Sequence, residues 1–411
     1  MTVTVYVKGI VSDYPELPAD FRSGLERIFT DNVNRVHSRT RVSAKPLSVK
    51  TQSFRLRRLC RSFVELRQIG FALQTPYALR EKHIEALVAL WHKEGQSPGT
   101  IENKLTYFRA FTKWINKPTV VKTMSEYIDP DAHDFRRSYV ATEDKSWDGK
   151  GIDAVKILEE IAKTEPVVAM QMKLQAAFGL RVEESFLLRP KDAVRKDGKL
   201  NVVHGTKGGR ARVVPIEFKM DVLLEAAHHT NRSTGSTIPD GYTKTQWKDH
   251  FYTVLKRYGV TKAGLGVTCH GLRHQFLQQM FAKYAGVPAP IKRSDERADP
   301  ALHREAMQAV VEAAGHSKAQ KAGAYLSSYS VQRQRASPKV SVDQIRGAIA
   351  VAEGNISAAA KALGISRQKV YRTLAAEKSD ELTCVSSVLQ QRKPVPGATL
   401  WSASDIITCA Q

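Results

Sequence analysis

The segment KLNVVHGTKGGRARVVPI (199–216) most constrains the fold, because its two β-like runs interrupt a chain whose apolar residues otherwise recur mostly at helical spacing. Gly208 and Gly209 separate the two runs and accept the positive φ of a turn, which is a hairpin signal. We therefore predict a mainly α protein that contains a small β-hairpin or sheet, with Lys207 in its turn.

The chain has 411 residues, 42% of them hydrophobic, which is enough for two or three domains with packed cores. An alternation of Val3, Val5 and Val7 predicts a strand near the start, and a stretch rich in Asp, Lys, Pro and Gly after residue 116 predicts a linker. The predicted segments are an N-terminal arm or subdomain (1–48), a helical domain (49–116), a linker (117–150), a larger and mostly helical domain (151–335), a compact helical unit (338–376) and a tail (377–411).

The formal net charge is +22, which favours a polyanionic partner, either nucleic acid or an anionic membrane surface. Membrane association is not expected, because no apolar run approaches the roughly 18 residues of a transmembrane helix and the first residues lack a signal pattern. Duplex DNA is therefore the expected partner. The four cysteines are scattered without CxxC spacing, which argues against disulfides and zinc and suits a reducing cytoplasm.

One predicted helix of the 49–116 domain is strongly basic and carries Arg55, Arg57, Arg58 and Arg61. Taken alone, these arginines are equally consistent with a solvated charged face. The net charge of +22 favours instead a surface that contacts DNA phosphates.

Basic and nucleophilic side chains concentrate in four segments between residues 179 and 330. Arginine forks stabilise the charge of a phosphoryl transition state, and a tyrosine can hold the phosphate in a covalent intermediate. A lysine can protonate a leaving 5′-oxygen, and histidines can bond the phosphate or carry protons. The segments are GLRVEESFLL with Arg181 and Glu184, the hairpin turn with Lys207, HGLRHQF with His270, Arg273 and His274, and GHSKAQKAGAY with His316 and Tyr325.

Each of these residues also has a plainer interpretation. Arg181 alone fits an ion pair with Glu184 on a helix surface, and Lys207 alone fits a solvated turn. Tyr325 and Tyr329 alone fit ordinary core aromatics. Only the combination of these residues, in their order along the chain, favours metal-free cleavage of a phosphodiester.

A metal site is the alternative for His270 and His274, which stand four residues apart. A zinc-protease helix needs HExxH, and Gly271 replaces its glutamate here. We therefore expect neither a metal ion nor another cofactor.

In their order along the chain, these motifs resemble those of the tyrosine recombinases, the phage-integrase family. GLRVEES resembles the first arginine box, TKGGRARVVPI the β-hairpin, HGLRHQF the second box and GHS…Y the third, over roughly residues 50–335. The resemblance implies a helical core-binding domain (49–116) and a catalytic domain (151–335) around duplex DNA. It also implies a 3′-phosphotyrosyl intermediate, a homo-tetrameric synapse, and no use of metal or ATP.

Carried onto this sequence, the resemblance implies one role for each residue of the boxes. Glu184 and His274 match structural positions. The implied active-site roles are phosphate binding by Arg181 and Arg273, protonation of the leaving 5′-oxygen by Lys207, phosphate bonding and proton transfer by His270 and His316, and nucleophilic attack by Tyr325.

Two local predictions concern the third box. Tyr329 is expected to be a packing residue, and Gly323 is expected to break the backbone so that Tyr325 can move.

Arg273 and His316 are 43 positions apart, about twice the usual spacing of the family. The excess lies in VPAPIKRSDERADPALHRE (287–305), which we expect to be a solvated surface insertion rather than a contact to DNA or to a neighbouring protomer.

Residues 342–374 predict a helix, a second short helix, a Leu363-Gly364-Ile365 turn and a basic third helix capped by Ser366. The run GNISAAAKALGISRQKVYRTL resembles the Fis-type helix-turn-helix. A protein-docking unit is the alternative, with Val370 and Leu374 inward in either case. The expected DNA-reading residues of the third helix are Arg367, Gln368, Lys369 and Arg372.

The leading hypothesis is a site-specific recombinase of a mobile element, which integrates, excises or resolves DNA in the bacterial cytoplasm in association with the nucleoid. Accessory DNA-bending proteins or a partner recombinase are further expected partners. Two hypotheses compete with it: a DNA-binding transcriptional regulator on a recombinase fold, and a type IB topoisomerase-like strand transferase.

Overall fold

The computed structural model describes residues 4–36, 46–130, 135–217, 219–336 and 340–374, with the backbone alone at 334–336. The chain divides into two compact units. The first comprises Met1–Arg137 together with Lys339–Gln411, and the second comprises Ser138–Pro338. The predicted 377–411 tail lies outside the described residues. Among the helices described, none has both the length and the apolar character needed to cross a membrane.

The first unit begins with helices that share one aromatic-rich core. Ser48 and Ser97 cap two of them, since each hydroxyl accepts the backbone N–H three residues later. Phe63 lies at the centre, with its ring edge-to-face against Phe21, Phe108 and Phe111. The helices are α1 (Val7–Ser12), α2 (Ala19–Asn32), α3 (Val49–Gln68), α4 (Glu81–Lys93), α5 (Pro98–Trp114) and α6 (Met124–Tyr127), with a 3-10 turn at Pro76–Ala78.

The strand predicted from Val3, Val5 and Val7 is wrong over its described part, because Val7 begins α1. Val7, Ile10 and Val11 are all buried, a three-to-four spacing that suits a helix. The same core contains apolar residues from the segments predicted as arm, helical domain and linker, which include Leu25, Leu87 and Val121.

The second unit is organised around α8 and α13, which supply buried residues to two apolar clusters. Leu174 and Leu277 belong to one cluster, and Met172 and Leu272 to the other. The helices are α7 (Ala154–Ala162), α8 (Pro166–Phe178), α9 (Val182–Leu187), α10 (Pro190–Ala193), α11 (Met220–His228), α12 (Lys244–Arg257), α13 (Cys269–Ala285), α14 (Pro300–Ala314), α15 (Gly323–Leu326) and α16 (Tyr329–Ala336).

The predicted hairpin is confirmed in the second unit. Strand β1 (Lys199–Val202) pairs antiparallel with β2 (Arg212–Pro215). The connection is longer than a tight turn and includes a 3-10 turn at Lys207–Gly209. Gly208 and Gly209 have φ of 74° and 72°, the positive values that favour glycine. The mainly α fold class with one small sheet is thus also confirmed.

The predicted insertion is only partly a solvated loop. Its first part forms a 3-10 turn at Pro290–Lys292, and Ala289 and Ile291 are buried in the second unit. Asp299 caps α14, which begins inside the predicted insertion. The solvated-loop prediction is therefore wrong for residues 289–292, because an alternating Ala and Ile side chain can pack even in a Pro-rich stretch.

The predicted helix-turn-helix is present as α17 (Val342–Val351), α18 (Ile356–Ala362) and a third helix, α19 (367–374). Gly364 has φ of 64°, and the Ser366 hydroxyl accepts the Lys369 N–H at 3.2 Å. These are the turn and the cap that the sequence predicts. The small core of the helix-turn-helix consists of Ile345, Ala360, Ile365 and Val370.

Candidate active site

The first arginine box forms the turn from α8 into α9. Gly179 has φ of 58°, and a Cβ there would lie 2.4 Å from the Phe276 ring. Glu184 then closes a capping box: it accepts the Arg181 backbone N–H at 2.7 Å and the Arg181 Nη1 at 2.5 Å. The ion pair of the plainer interpretation therefore exists, and it fixes the direction of the Arg181 side chain.

Glu184 is fully buried and also binds a second arginine, Arg212, whose Nη2 donates to Oε2 at 2.6 Å. Burial opposes the ionisation of Glu184, but the charges of Arg212 and Arg181 outweigh it and lower the pKa. Burial lowers the pKa of Arg212 to about 10, and the neighbouring cation Arg273 adds to this effect.

Arg212 is a site residue that the sequence analysis missed. The signal was available: in RVVP, Arg212 alternates with Val214 and therefore faces the core side of β2. Its guanidinium donates to the carbonyls of Ala313 and Gly179 in addition to Glu184. Arg212 thus ties the hairpin to the first box and to the end of α14.

The second arginine, Arg273, is completely buried on α13. Its Nη1 donates to the Gly179 carbonyl and its Nη2 to the Ala314 carbonyl at 2.7 Å. Arg181 Nη2 donates to the same Ala314 oxygen at 3.1 Å. One carbonyl at the end of α14 therefore brings the two predicted phosphate-binding arginines together. Burial lowers the pKa of Arg273 from its usual value.

The third box places Tyr325 against this cluster. Its hydroxyl lies 3.3 Å from Arg273 Nε and 3.3 Å from His316 Nε2. The rings of His274 and His270 lie 4.9 Å and 6.2 Å from its ring centre. The Tyr325 hydroxyl thus adjoins Arg273 and His316, and Arg181 joins this group through the Ala314 carbonyl that it shares with Arg273.

Tyr329 lies elsewhere in the second unit. Its ring contacts the Arg297 guanidinium at 4.3 Å and lies 5.7 Å from the His303 ring. Its buried hydroxyl has no hydrogen-bond partner among the described residues. The structure thus separates the two tyrosines that the sequence places four residues apart.

His270, His274 and His316 have lowered pKa values of about 4, 3 and 4, respectively. Removal from water is the main cause, and the cationic arginines add to it for His270 and His316. His270 is exposed on α13, whereas His274 is buried. All three rings are neutral at pH 7 in the DNA-free protein.

Lys207 is exposed in the hairpin loop. Its charge is among those that lower the pKa of His316. No group of three or more His, Cys, Asp or Glu side chains within the described ranges is arranged to hold a metal ion.

The predicted backbone break is displaced. Gly323 has an ordinary helical φ of −54° and begins α15 after a 3-10 turn at Ala319–Ala322. The break follows Tyr325, at Ser327, where φ is 65°. The segment 318–330 is not one continuous helix, but the prediction that Gly323 interrupts it is wrong, because a glycine permits a positive φ without requiring one.

The four arginines predicted to bind DNA on α3 differ in their surroundings. Arg57 forms an ion pair with Asp13, and Arg61 lies 3.8 Å from Glu65. Arg58 packs over the exposed Phe54 ring at 5.0 Å, and half-buried Arg55 over Trp114 at 5.8 Å. The structure brings Arg57, Arg58 and Arg61 to the surface.

On α19, Arg367, Gln368 and Arg372 are exposed, whereas Lys369 is half-buried. Arg367 donates to the Ser357 hydroxyl at 3.3 Å. Val370 is buried as predicted and belongs to the small core of the helix-turn-helix. Three of the four predicted residues are therefore accessible.

Three family models match the chain. One is described as an integrase and matches residues 141–279, and one is described as the N-terminal domain of phage integrases and matches residues 42–121. The third is described as a bacterial regulatory protein of the Fis family and matches residues 339–376.

Two relatives carry the name tyrosine recombinase XerA. The protein from Thermococcus kodakarensis is 28% identical over 230 residues, which cover 48% of this chain and 80% of the relative. The protein from Pyrococcus furiosus is 32% identical over 135 residues, which cover 31% and 46%, respectively.

Solved structures resemble the fold at low identity. A lambda integrase dimer bound to a COC′ core site has a TM-score of 0.47 at 16% identity, over 77% of this chain and 98% of that one. The XerH recombinase bound to a palindromic difH substrate has a TM-score of 0.44 at 16% identity, over 80% and 92%.

The family models and the named relatives define the class: a tyrosine-type, site-specific recombinase. The chain is similar to the tyrosine recombinases, or phage integrases, over residues 42–121 and 141–279, and to a Fis-type helix-turn-helix over residues 339–376. The resemblance inferred from the sequence is confirmed.

Proposed function

We propose that Tyr325 is the nucleophile of this recombinase and attacks the scissile phosphate of duplex DNA. One observation carries the proposal: the Tyr325 hydroxyl lies 3.3 Å from both Arg273 Nε and His316 Nε2. An oxygen in this position adjoins a group that binds phosphate and a group that can take its proton. Tyr329 contacts Arg297 and His303 instead.

In the cleavage step, a bond forms between Tyr325 Oη and phosphorus, and the bond from phosphorus to the 5′-oxygen breaks. The phenol proton passes to His316 Nε2, which is neutral at pH 7 because its pKa is about 4. Lys207 gives a proton to the departing 5′-oxygen. The products are a 3′-phosphotyrosyl enzyme and a 5′-hydroxyl, and a 5′-hydroxyl from another strand reverses the step to rejoin the DNA.

Arg181 and Arg273 hold the non-bridging oxygens of the phosphate, with His270 as a further donor. Their shared contact with the Ala314 carbonyl supports this role, because it sets both guanidiniums before substrate arrives. Arg212 acts as a positioning residue through Glu184. A bound phosphodiester adds negative charge beside these cations and is expected to raise the pKa of His316, which helps it to retain the proton.

A nicked suicide substrate tests the nucleophile, because loss of the short cleaved strand traps the covalent adduct. We expect wild type and Tyr329→Phe to form the adduct and Tyr325→Phe to form none, with DNA binding retained in all three. An adduct with Tyr325→Phe would refute the assignment. Absence of an adduct with Tyr329→Phe alone would transfer the role to Tyr329.

A 5′-bridging phosphorothiolate tests Lys207 separately. A 5′-thiolate leaves without a proton, because a thiol has a pKa of about 8.5. We expect Lys207→Ala to cleave ordinary DNA slowly and the phosphorothiolate at nearly the wild-type rate. An equal defect on both substrates would show that Lys207 is not the general acid.

The remaining contacts proposed for DNA lie outside the active site. Exposed Arg58 and Arg61 contact phosphates at the core site, whereas Arg367, Gln368 and Arg372 read an accessory site or the promoter of a mobile element. Four copies form the synapse, with DNA-bending or partner recombinase proteins as helpers, and DNA association keeps the protein with the nucleoid. The net charge of +22 supports extensive contacts with DNA.

The same substrates distinguish the competing hypotheses. A regulator on this fold would bind the ends of its element without forming an adduct. A topoisomerase-like strand transferase would relax supercoiled plasmid that lacks the recombination site. Recombination between two paired sites, with no relaxation of the control plasmid, is the expected result.

A further inference from the structure

The residues that hold the backbone of Tyr325 lie outside all of the boxes described above. Tyr325 sits on α15, which has four residues (Gly323–Leu326) and is followed by Ser327 with φ of 65°. A single helical turn has too few internal hydrogen bonds to keep its own orientation. The position of the nucleophile must therefore be set by contacts from neighbouring segments.

Two such contacts come from the 141–148 segment and from α13. The Ala141 N–H donates to the Gly323 carbonyl at 2.8 Å. Gln278 Nε2 donates to the Tyr325 carbonyl at 3.2 Å and to Asp144 Oδ1 at 2.9 Å. Gln278 is buried on the helix that carries Arg273. The backbone of the nucleophile and a phosphate-binding arginine are thus held by the same helix.

Asp144 is in turn held by a lysine from the inserted segment. Lys292 Nζ lies 2.9 Å from Asp144 Oδ2 and 2.9 Å from Asp148 Oδ2, and it donates to the Ser146 hydroxyl at 3.2 Å. Ser146 also donates to Asp144 through its backbone and its hydroxyl. Burial opposes the ionisation of Asp144, yet these donors lower its pKa, so the ion pair with Lys292 persists at neutral pH.

The 141–148 segment is itself anchored, which gives the contacts a rigid base. Trp147 is fully buried, and its Nε1 donates to the Thr268 carbonyl at 2.9 Å, just before α13 begins. A Cβ at Gly271 would lie 2.5 Å from the Lys145 carbonyl, so the segment also packs closely on the first turn of α13.

We propose that Lys292, Asp144 and Gln278 form a positioning relay that holds the Tyr325 backbone for attack. Lys292 belongs to the segment that lengthens the distance between the second and third boxes, which gives this insertion a role in the reaction. The relay rests on the proposed function of Tyr325. The contacts of the Tyr325 hydroxyl with Arg273 and His316 act in the chemical step. The relay instead positions α15, the helix that carries Tyr325.

Single-turnover cleavage of the suicide substrate at saturating DNA tests the relay. We expect Lys292→Met to slow adduct formation at least about tenfold, because small displacements of a nucleophile cost rate, while the Kd for DNA is unchanged. Lys292→Arg should restore most of the rate. The matched control is Lys283→Met, which removes a 2.7 Å ion pair with Glu217 away from Tyr325 and should leave the rate unchanged.

A wild-type rate for Lys292→Met would overturn the proposal, and so would equal losses of rate and of DNA affinity. Asp144→Asn provides a second variant of nearly the same shape. We expect it to reproduce the defect of Lys292→Met and the double variant to be no slower than either single one, whereas additive defects would contradict a relay.

The phosphorothiolate substrate separates nucleophile placement from leaving-group protonation. We expect the ratio of wild-type to Lys292→Met rates to be the same on this substrate as on ordinary DNA, since the relay acts on the tyrosine. Rescue of Lys292→Met by the substrate would refute the relay. An adduct in Tyr325→Phe would instead refute the proposed function, so the two failures are distinguishable.

Discussion

Arginines occupy two contrasting environments in the two units. In the second unit, Arg181, Arg212 and Arg273 all donate to backbone carbonyls. Arg181 and Arg212 also donate to the buried Glu184, and Arg273 has no exposed surface. In the first unit, Arg58 and Arg61 lie on the surface of α3 with one ring and one distant carboxylate as neighbours. The same residue type is thus preorganised in one place and solvated in the other.

The difference fits the role proposed for each group of arginines. Charge that develops in a transition state is stabilised best by donors that do not reorganise, which justifies gathering three arginines, two of them buried, near one buried carboxylate. Attraction to a DNA backbone needs charge near phosphates and gains little from a fixed geometry. Substitutions should therefore have large, geometry-dependent effects in the active site and small, salt-dependent effects on α3.

The largest effect is expected from Arg273→Lys. A lysine keeps the charge but cannot donate to Gly179, Ala314 and Tyr325 from one planar group. We expect the single-turnover cleavage rate to fall by roughly 10²–10³-fold. Arg58→Lys is the matched control and should cleave within about twofold of wild type at saturating DNA. Equal cleavage rates for the two variants would contradict the contrast between the preorganised arginines of the active site and the solvated arginines of α3.

The next effect concerns Glu184, the counter-charge of the buried arginines. Glu184→Gln leaves Arg212 without its ionic partner inside the protein, and we expect a loss of about 3 kcal/mol in the free energy of unfolding. Glu183→Gln removes the exposed pair with Lys244 and should cost less than about 0.5 kcal/mol. Chemical denaturation of the full chain measures both free energies of unfolding. Similar losses for the two variants would mean that burial of Glu184 does not increase its contribution to stability.

Acid should destabilise the second unit. The pKa values of His274 and His316 are about 3 and 4, below the value of about 6.5 for an unfolded chain. Between about pH 6.5 and pH 4 the unfolded state binds more protons, so stability falls as the pH falls. We expect His274→Phe to flatten the decline of the unfolding temperature from pH 7 to pH 5. A slope identical to that of wild type would contradict this expectation.

The smallest effects should appear on α3. Arg58→Ala should weaken DNA binding and reduce the slope of log Kobs against log salt by about one, as expected for the loss of one phosphate contact. Arg57→Ala should change the slope less, because Asp13 already neutralises Arg57. Filter binding or fluorescence anisotropy at several salt concentrations gives both slopes. Equal changes would mean that the ion pair with Asp13 opens on DNA.

Local signals explain which parts of the fold were predicted correctly. The hairpin follows from two β-like runs around Gly208 and Gly209, and the helix-turn-helix follows from Gly364 and the Ser366 cap. Both depend on residues close in sequence. The strand predicted at Val5 and Val7 failed because a short alternation of valines does not outweigh burial of the same residues against neighbouring helices.

The sequence by itself determined the candidates for this site, since order and residue type were enough to propose Arg181, Lys207, His270, Arg273, His316 and Tyr325. The tertiary structure alone decided how they are held: by Arg212 on a strand, by carbonyls at two helix ends, and by Lys292 from an insertion expected to be a solvated loop. Such contacts join residues up to 148 positions apart, as between Asp144 and Lys292. No local pattern encodes them, because they depend on where packing brings distant segments together.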